Sequence, residues 1–140
     1  MEKSKPLVIS VVDDDDIYKF TIKRTLDLLK LTKKVLMFSD GEEAIDFLND
    51  NIKNTQTLPD IIFLDINMPV MDGFEFMEEF IKLKPKTDKK IIVYMVSSSV
   101  DPADLQRAKE ISEISDYIVK PIEADQISEI VESLKKEGYI

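Results

Sequence analysis

The sequence predicts an α/β domain built on a parallel sheet, and three observations carry that prediction. Short apolar runs recur at residues 7–12, 35–38, 61–64, 91–96 and 117–119. Segments with helical spacing of apolar residues lie between them and after the last. The run at 61–64, Ile-Ile-Phe-Leu, contains no polar residue, which is the pattern of a strand covered on both faces. Strict alternation of strand and helix then calls for parallel strands joined by right-handed crossovers.

Each element has its own signal. The first strand, residues 7–12, leads into a helix whose apolar stripe is Tyr18, Ile22, Leu26 and Leu29. After the strand at 35–38, Ser39 or Asp40 can cap a second helix, with Glu42 and Glu43 in its first turn and Ile45, Leu48 and Ile52 on its apolar face. Residues 54–59 read as a loop into the central strand at 61–64. Asp72 and Glu75 form a capping pair for a third helix carrying Phe74, Met77 and Ile81. Residues 85–90 are a basic loop before the strand at 91–96. Asp101 followed by Pro102 opens a fourth helix, whose stripe of Leu105, Ala108 and Ile111 is the thinnest. The fifth helix follows the strand at 117–119 and presents Ile127, Ile130, Val131 and Leu134 on one face.

Composition narrows the functional classes. At 140 residues and 44% hydrophobic content the chain suits one domain, one that buries roughly 70% of its unfolded surface. It has no Cys and no His, which excludes thiol catalysis and argues against a zinc hydrolase site. Any imidazole the chemistry requires must come from a partner. The net charge of −9 would repel a nucleic-acid backbone, so direct nucleic-acid binding is not expected. The apolar run at the N-terminus is too short for a signal peptide or membrane span, so a cytoplasmic protein with no membrane partner is expected.

The chemistry gathers at the strand ends. Asp65 follows the central apolar run, and in open parallel sheets ligands bind beside the carboxyl ends of strands. The first strand ends in Asp13 and Asp14, the fourth in Ser97, and the fifth in Lys120 and Pro121. Two unit charges ~4 Å apart repel by about 4 kcal/mol at an effective dielectric of ~20, so clustered carboxylates need protons or a cation. Oxygen ligands of this kind suit Mg²⁺. Asp15 and Asp16 read instead as acids at a helix start, with Asp16 as the expected cap of the first helix. Acids, a hydroxyl and an ammonium group at one edge suit a bound phosphoryl group.

Those residues resemble the receiver domains of response regulators in two-component phosphorelays. The match rests on the Asp13-Asp14 pair, Asp65 within the run LDINMPVMDG, Ser97, Tyr117 at the aromatic switch position, and Lys120-Pro121. The resemblance covers residues 7–137 of a single domain expected to span 1–140 with no output domain, of a bacterial, chemotaxis-regulator-like type. It implies a doubly wound, flavodoxin-like five-stranded parallel sheet in the order 2-1-3-4-5 with five helices. It implies that Asp65 takes a phosphoryl group from a phosphohistidine on a sensor histidine kinase or phosphotransfer protein. Asp13, Asp14, Asp65 and the backbone carbonyl of Asn67 would hold Mg²⁺ or Mn²⁺, while Ser97 and Lys120 would bind the phosphoryl oxygens. Ser97 and Tyr117 would switch the face of the fourth helix, fifth strand and fifth helix toward an unknown downstream protein, with Tyr117 turning from an exposed to a buried rotamer. The Lys120-Pro121 bond would be cis. Asn67 and Ser99 stand where the family tunes dephosphorylation. One departure is Glu113-Ile114, where Gly-Ala is common in the family.

The implied protein is a phosphoacceptor signalling domain and no enzyme in the ordinary sense, catalysing only its own phosphorylation and slow dephosphorylation. A haloacid-dehalogenase-type phosphatase would want a second Asp at position 67 and cap segments for its substrate. A flavodoxin-like cofactor binder would want a phosphate-cradling loop, yet the glycines are only Gly41, Gly73 and Gly138. A degenerate receiver would lack some of the acid, Ser and Lys positions that are filled here.

Overall fold

Residues that alternate along each central strand sort their side chains onto two helix layers, and this sorting organises the molecule. The computed structural model describes residues 6–140. Residues 1–5, the polar start of the N-terminal stretch considered above, lie outside them. The elements run β1 (Leu7–Val12), α1 (Asp16–Leu29), β2 (Thr32–Phe38), α2 (Gly41–Asp50), β3 (Ile61–Leu64), α3 (Gly73–Leu83), β4 (Ile92–Ser97), α4 (Pro102–Lys109), β5 (Ile114–Val119) and α5 (Ala124–Lys136). Among the described residues they form one parallel sheet in the order β2-β1-β3-β4-β5, the expected topology.

On β3, Ile62 and Leu64 pack toward α2 and α3, beside Leu48, Phe74, Met77 and Phe80. Ile61 and Phe63 point the other way, toward Ile22 and Leu26 of α1 and Ile127 and Val131 of α5. All four β3 residues are buried, as their unbroken apolar run requires. The strand therefore ends inside the molecule, and Asp65 leaves it at the top of the sheet.

The helix starts follow local capping chemistry. Asp40 caps α2 through the Glu43 amide, and Asp72 and Glu75 form a reciprocal capping box on α3. Asp101 caps α4 with Pro102 at its first position. The first helix differs from expectation. Asp15, not Asp16, is its cap, accepting from the amides of Ile17 and Tyr18 at 3.0 and 3.1 Å. Asp15 has extended backbone (φ −88°, ψ 105°), whereas Asp16 is already helical.

Other boundaries also differ. β2 begins at Thr32 and β5 at Ile114, each three residues before its apolar run, while β4 starts at Ile92 and includes Ser97. Ile52 and Ile111 lie just past the helices to which their spacing assigned them. A 3-10 turn at Lys84–Lys86 leads from α3 into the basic loop. Ile81, expected on the apolar face of α3, is 38% exposed. No helix of the described residues is long and apolar enough to cross a membrane.

Candidate functional site

Backbone hydrogen bonds of the central strands set the positions of the carboxylates. The Asp65 amide donates to the Val12 carbonyl at 2.9 Å, extending the β1–β3 ladder and holding Asp65 beside Asp13. Asp13, Asp14 and Asp65 each present a carboxylate oxygen within 4.8 Å of the others. Asp13 and Asp65 are buried, and Asp14 is exposed at the mouth. Hard oxygen donors converging from two adjacent strand ends fit a divalent cation such as Mg²⁺.

Each buried acid has partners. Asp13 accepts from the Asp15 amide through Oδ1 at 2.9 Å and meets the Lys120 ammonium through Oδ2 at 2.6 Å. Asp65 accepts from the Ile66 amide through Oδ1 at 2.8 Å and lies 3.5 Å from Lys120 through Oδ2. One ammonium group thus serves two buried acids, and it is closer to Asp13.

The electrostatics follow from that sharing. Burial, and then the charge of Asp13, push the Asp65 carboxyl above its ordinary value of 3.8, although Lys120 and the Ile66 amide pull the other way. Burial works against the Lys120 charge, yet its hydrogen bond to Asp13 and the Asp65 carboxylate outweigh burial and raise it above 10.5. Lys120 therefore stays cationic and Asp65 carries an unfavourable charge.

The loop after β3 is wrapped tightly around Asp65. Gly73 donates to the Ile66 carbonyl at 2.8 Å, and a Cβ built on Gly73 would lie 2.3 Å from the Asp65 carbonyl oxygen. Only glycine permits this approach of α3 to the strand end. Asn67 is exposed beside it. Val70 has φ 67°, a left-handed conformation that a β-branched residue rarely adopts.

On the other flank, Ser97 is buried at the end of β4, and its Oγ accepts from the Ser99 amide at 3.2 Å. Ser99 is a junction. Its hydroxyl donates to Asp104 of α4 at 2.7 Å and accepts from the Asp101 amide at 3.3 Å, while its carbonyl accepts from the Tyr117 hydroxyl at 2.8 Å. Tyr117 is half-buried, and its hydroxyl ties its ring to the loop after β4 through the Ser99 carbonyl. The Lys120–Pro121 peptide bond is cis.

Two residues near the site escaped the sequence reading. Tyr18 lies with its ring 4.4 Å from the Lys120 ammonium, and its hydroxyl is buried without a partner among the described residues. Burial first, then Asp13 and Asp65, push the phenol far above its ordinary range, so it stays neutral. Lys19 is buried, donating to the Ser39 hydroxyl at 2.8 Å and lying 3.3 Å from Asp16. Tyr18 read as the first residue of an apolar stripe; the one available signal was its place just after an acidic run.

Comparison with known proteins agrees with this arrangement. The family model described as "Response regulator receiver domain" matches residues 9–132. The chain is 26% identical over 136 residues to the probable methanogenesis regulatory protein FilR2 of Methanothrix harundinacea, covering 97% of this chain and 86% of that one. It is 32% identical over 132 residues to the sensor histidine kinase CheAY of Helicobacter pylori, covering 94% of this chain but only 15% of the kinase. It spans 48% of the sensory transduction protein LytT of Bacillus anthracis, at 32% identity over 94% of this chain. Among solved structures, a two component response regulator from Cytophaga hutchinsonii superposes with a TM-score of 0.82 at 28% identity, covering 94% of this chain and 99% of that one. A response regulator receiver protein from Dyadobacter fermentans gives 0.75 at 32% identity, covering 92% and 95%. With the family model covering most of its length and its own strand ends carrying the acidic pocket, the chain belongs to the receiver domains of the response regulators of two-component signalling.

Proposed function

We propose that the chain is a phosphoacceptor whose site is Asp65. The observation that carries this reading is the gathering of Asp13, Asp14 and Asp65 within 4.8 Å, with Lys120 reaching both buried acids. An Asp65 carboxylate oxygen attacks the phosphorus of a phosphohistidine; the new O–P bond forms as the P–N bond breaks, and the freed imidazole takes up a proton. A Mg²⁺ or Mn²⁺ ion, when bound, neutralises charge developing on the transferred oxygens. Asp13, Asp14, Asp65 and the Asn67 backbone carbonyl would hold it. Lys120 exchanges its ion pair with Asp13 for phosphoryl oxygens. Ser97, whose oxygen accepts from the Ser99 amide, still has its own proton to donate to the phosphoryl group.

The donor is a sensor histidine kinase or histidine phosphotransfer protein, since the chain has no His of its own. Ile17 and Phe20, 80% and 67% exposed in the first half of α1, offer apolar contact to such a partner. The output runs through Ser97, Ser99 and Tyr117 to the face of α4, β5 and α5, which meets a downstream protein. Asn67 and Ser99 flank the site and set how long the acyl phosphate lasts. The unit that does this is one receiver domain, core 7–137, working in the cytoplasm.

Acetyl phosphate with Mg²⁺ tests the reading. The intact mass should rise by one phosphoryl group on a peptide containing Asp65, and Asp65→Asn should abolish the gain. Equal labelling of that variant would refute the assignment.

A further inference from the structure

We propose that Tyr18 is a positioning residue for Lys120, its aromatic face serving as the seat from which the ammonium group leaves Asp13 for a phosphoryl group on Asp65. The inference rests on the phosphoacceptor reading. Its physical basis is the placement of three groups around one nitrogen. Lys120 Nζ lies 2.6 Å from Asp13, 3.5 Å from Asp65 and 4.4 Å from the centre of the Tyr18 ring. A ring face attracts a cation through its quadrupole anywhere over the face within about 6 Å of the centroid. A carboxylate, by contrast, binds at one oxygen.

The ring thus supports the ammonium group without directing it to either acid. Lys120 can turn between partners at little cost while it remains over the ring. Without the ring, the shorter contact would hold it at Asp13, and a group arriving on Asp65 would have to break that pair unaided.

The rest of Tyr18 fits a fixed platform. It stands in the first turn of α1, where its amide is tied to the Asp15 cap at 3.1 Å. Its ring packs against the cluster that contains Ile22, Ile118 and Ile122, so the platform joins α1 to the segment that carries Lys120. The hydroxyl makes no hydrogen bond among the described residues, and the role falls to the ring. The working part is the ring face, and phenylalanine should replace it.

Beryllofluoride with saturating Mg²⁺ mimics the phosphoryl group and gives the decisive measurement. Tyr18→Leu should slow beryllofluoride association on the order of tenfold, because the ring supports the ammonium group while it passes between partners and so lowers the barrier by the scale of a desolvated ammonium–aromatic contact. Its Mg²⁺ affinity should stay within about twofold, because no metal-directed oxygen is removed. Tyr18→Phe should match the wild type in both. In a Lys120→Ala background, Tyr18→Leu should add nothing, since the seat acts only through the lysine.

Proton NMR without any ligand reads the seat separately. The Lys120 ε-methylene protons should be shifted upfield by the ring in the wild type and in Tyr18→Phe, and return toward ordinary values in Tyr18→Leu. Equal slowing in the Phe and Leu variants, an undiminished effect in the Lys120→Ala background, or absence of the upfield shift would each overturn the proposal. A wild type that binds no beryllofluoride while keeping the upfield shift would overturn the phosphoacceptor reading and the positioning role with it.

Discussion

The two flanks of the pocket are held by different kinds of contact. On the β3–α3 side, backbone meets backbone: the Asp65 amide is on Val12, the Gly73 amide on Ile66, and α3 is so close that no side chain fits at Gly73. On the β4–α4–β5 side, the ties pass through hydroxyls and one carboxylate around Ser99. Below them α3 buries Phe74, Phe76, Met77, Phe80 and Leu83, whereas Ala108 is the one fully buried residue of α4. The first flank can hold a nucleophile still. The second can exchange partners, because each of its bonds has a rotatable side-chain group on at least one end.

The sharpest way to break this contrast is at Gly73. Gly73→Ala drives a Cβ against the Asp65 carbonyl and should cost about 3 kcal/mol, read from the denaturation midpoint. A loss below about 1 kcal/mol would mean that the β3–α3 flank yields as easily as the other.

Next in size is the charge on Asp65. A carboxyl raised in the folded state binds its proton more tightly there than in the unfolded chain. Folding is therefore favoured by this group at acid pH, and the benefit is lost as pH rises through the folded value. Asp65→Asn should therefore melt higher than wild type at pH 7 in chelator, and the gain should shrink as pH falls toward 3.8. An equal gain at both pH values would detach it from the charge.

Ser99→Ala and Tyr117→Phe each remove links from the polar flank and should cost about 1 kcal/mol. The cost should be local. Amide exchange should quicken in α4 and leave α3 unchanged; equal quickening in both would show that the two flanks open as one cooperative unit. Smallest is Val70→Asn, which suits the left-handed backbone better and should raise stability by about 0.5 to 1 kcal/mol without altering Mg²⁺ affinity.

How far the sequence revealed this molecule depended on position in the sheet. Central strands were legible because both faces are covered, leaving unbroken apolar runs such as 61–64. The two edge strands were read short. Lys33 and Lys34 of β2 and Ser115 and Asp116 of β5 are exposed, so these polar halves look like loop, although Lys34 and Asp116 pair in the sheet and Lys33 and Ser115 sit where its register shifts. Carboxylates and Lys120 were legible for the same reason as the central strands: each follows an apolar run and so marks a strand end. The cap of α1 was not, because among Asp13, Asp14, Asp15 and Asp16 side-chain type cannot distinguish members, and backbone dihedral angles decide. Tyr18 was hidden by its chemistry. An aromatic residue at helical spacing reads as core, and only its distance from an ammonium group gives it another role.

The pairing of Lys120 with Asp13 and Asp65 also bears on how the chain is made. Synthesis runs from the N-terminus, so Asp13, Asp14 and Asp65 all exist before the lysine that separates their charges. A nascent chain that has completed β4 already holds the strands on which the acids stand, but not their counter-ion. Until residue 120 emerges, mutual repulsion opposes closing the β1–β3 ends around the pocket. The cation supply of the surrounding solution then takes the place that the last strand will fill, and low ionic strength should slow the maturation of the growing polypeptide more than it slows refolding of the finished one.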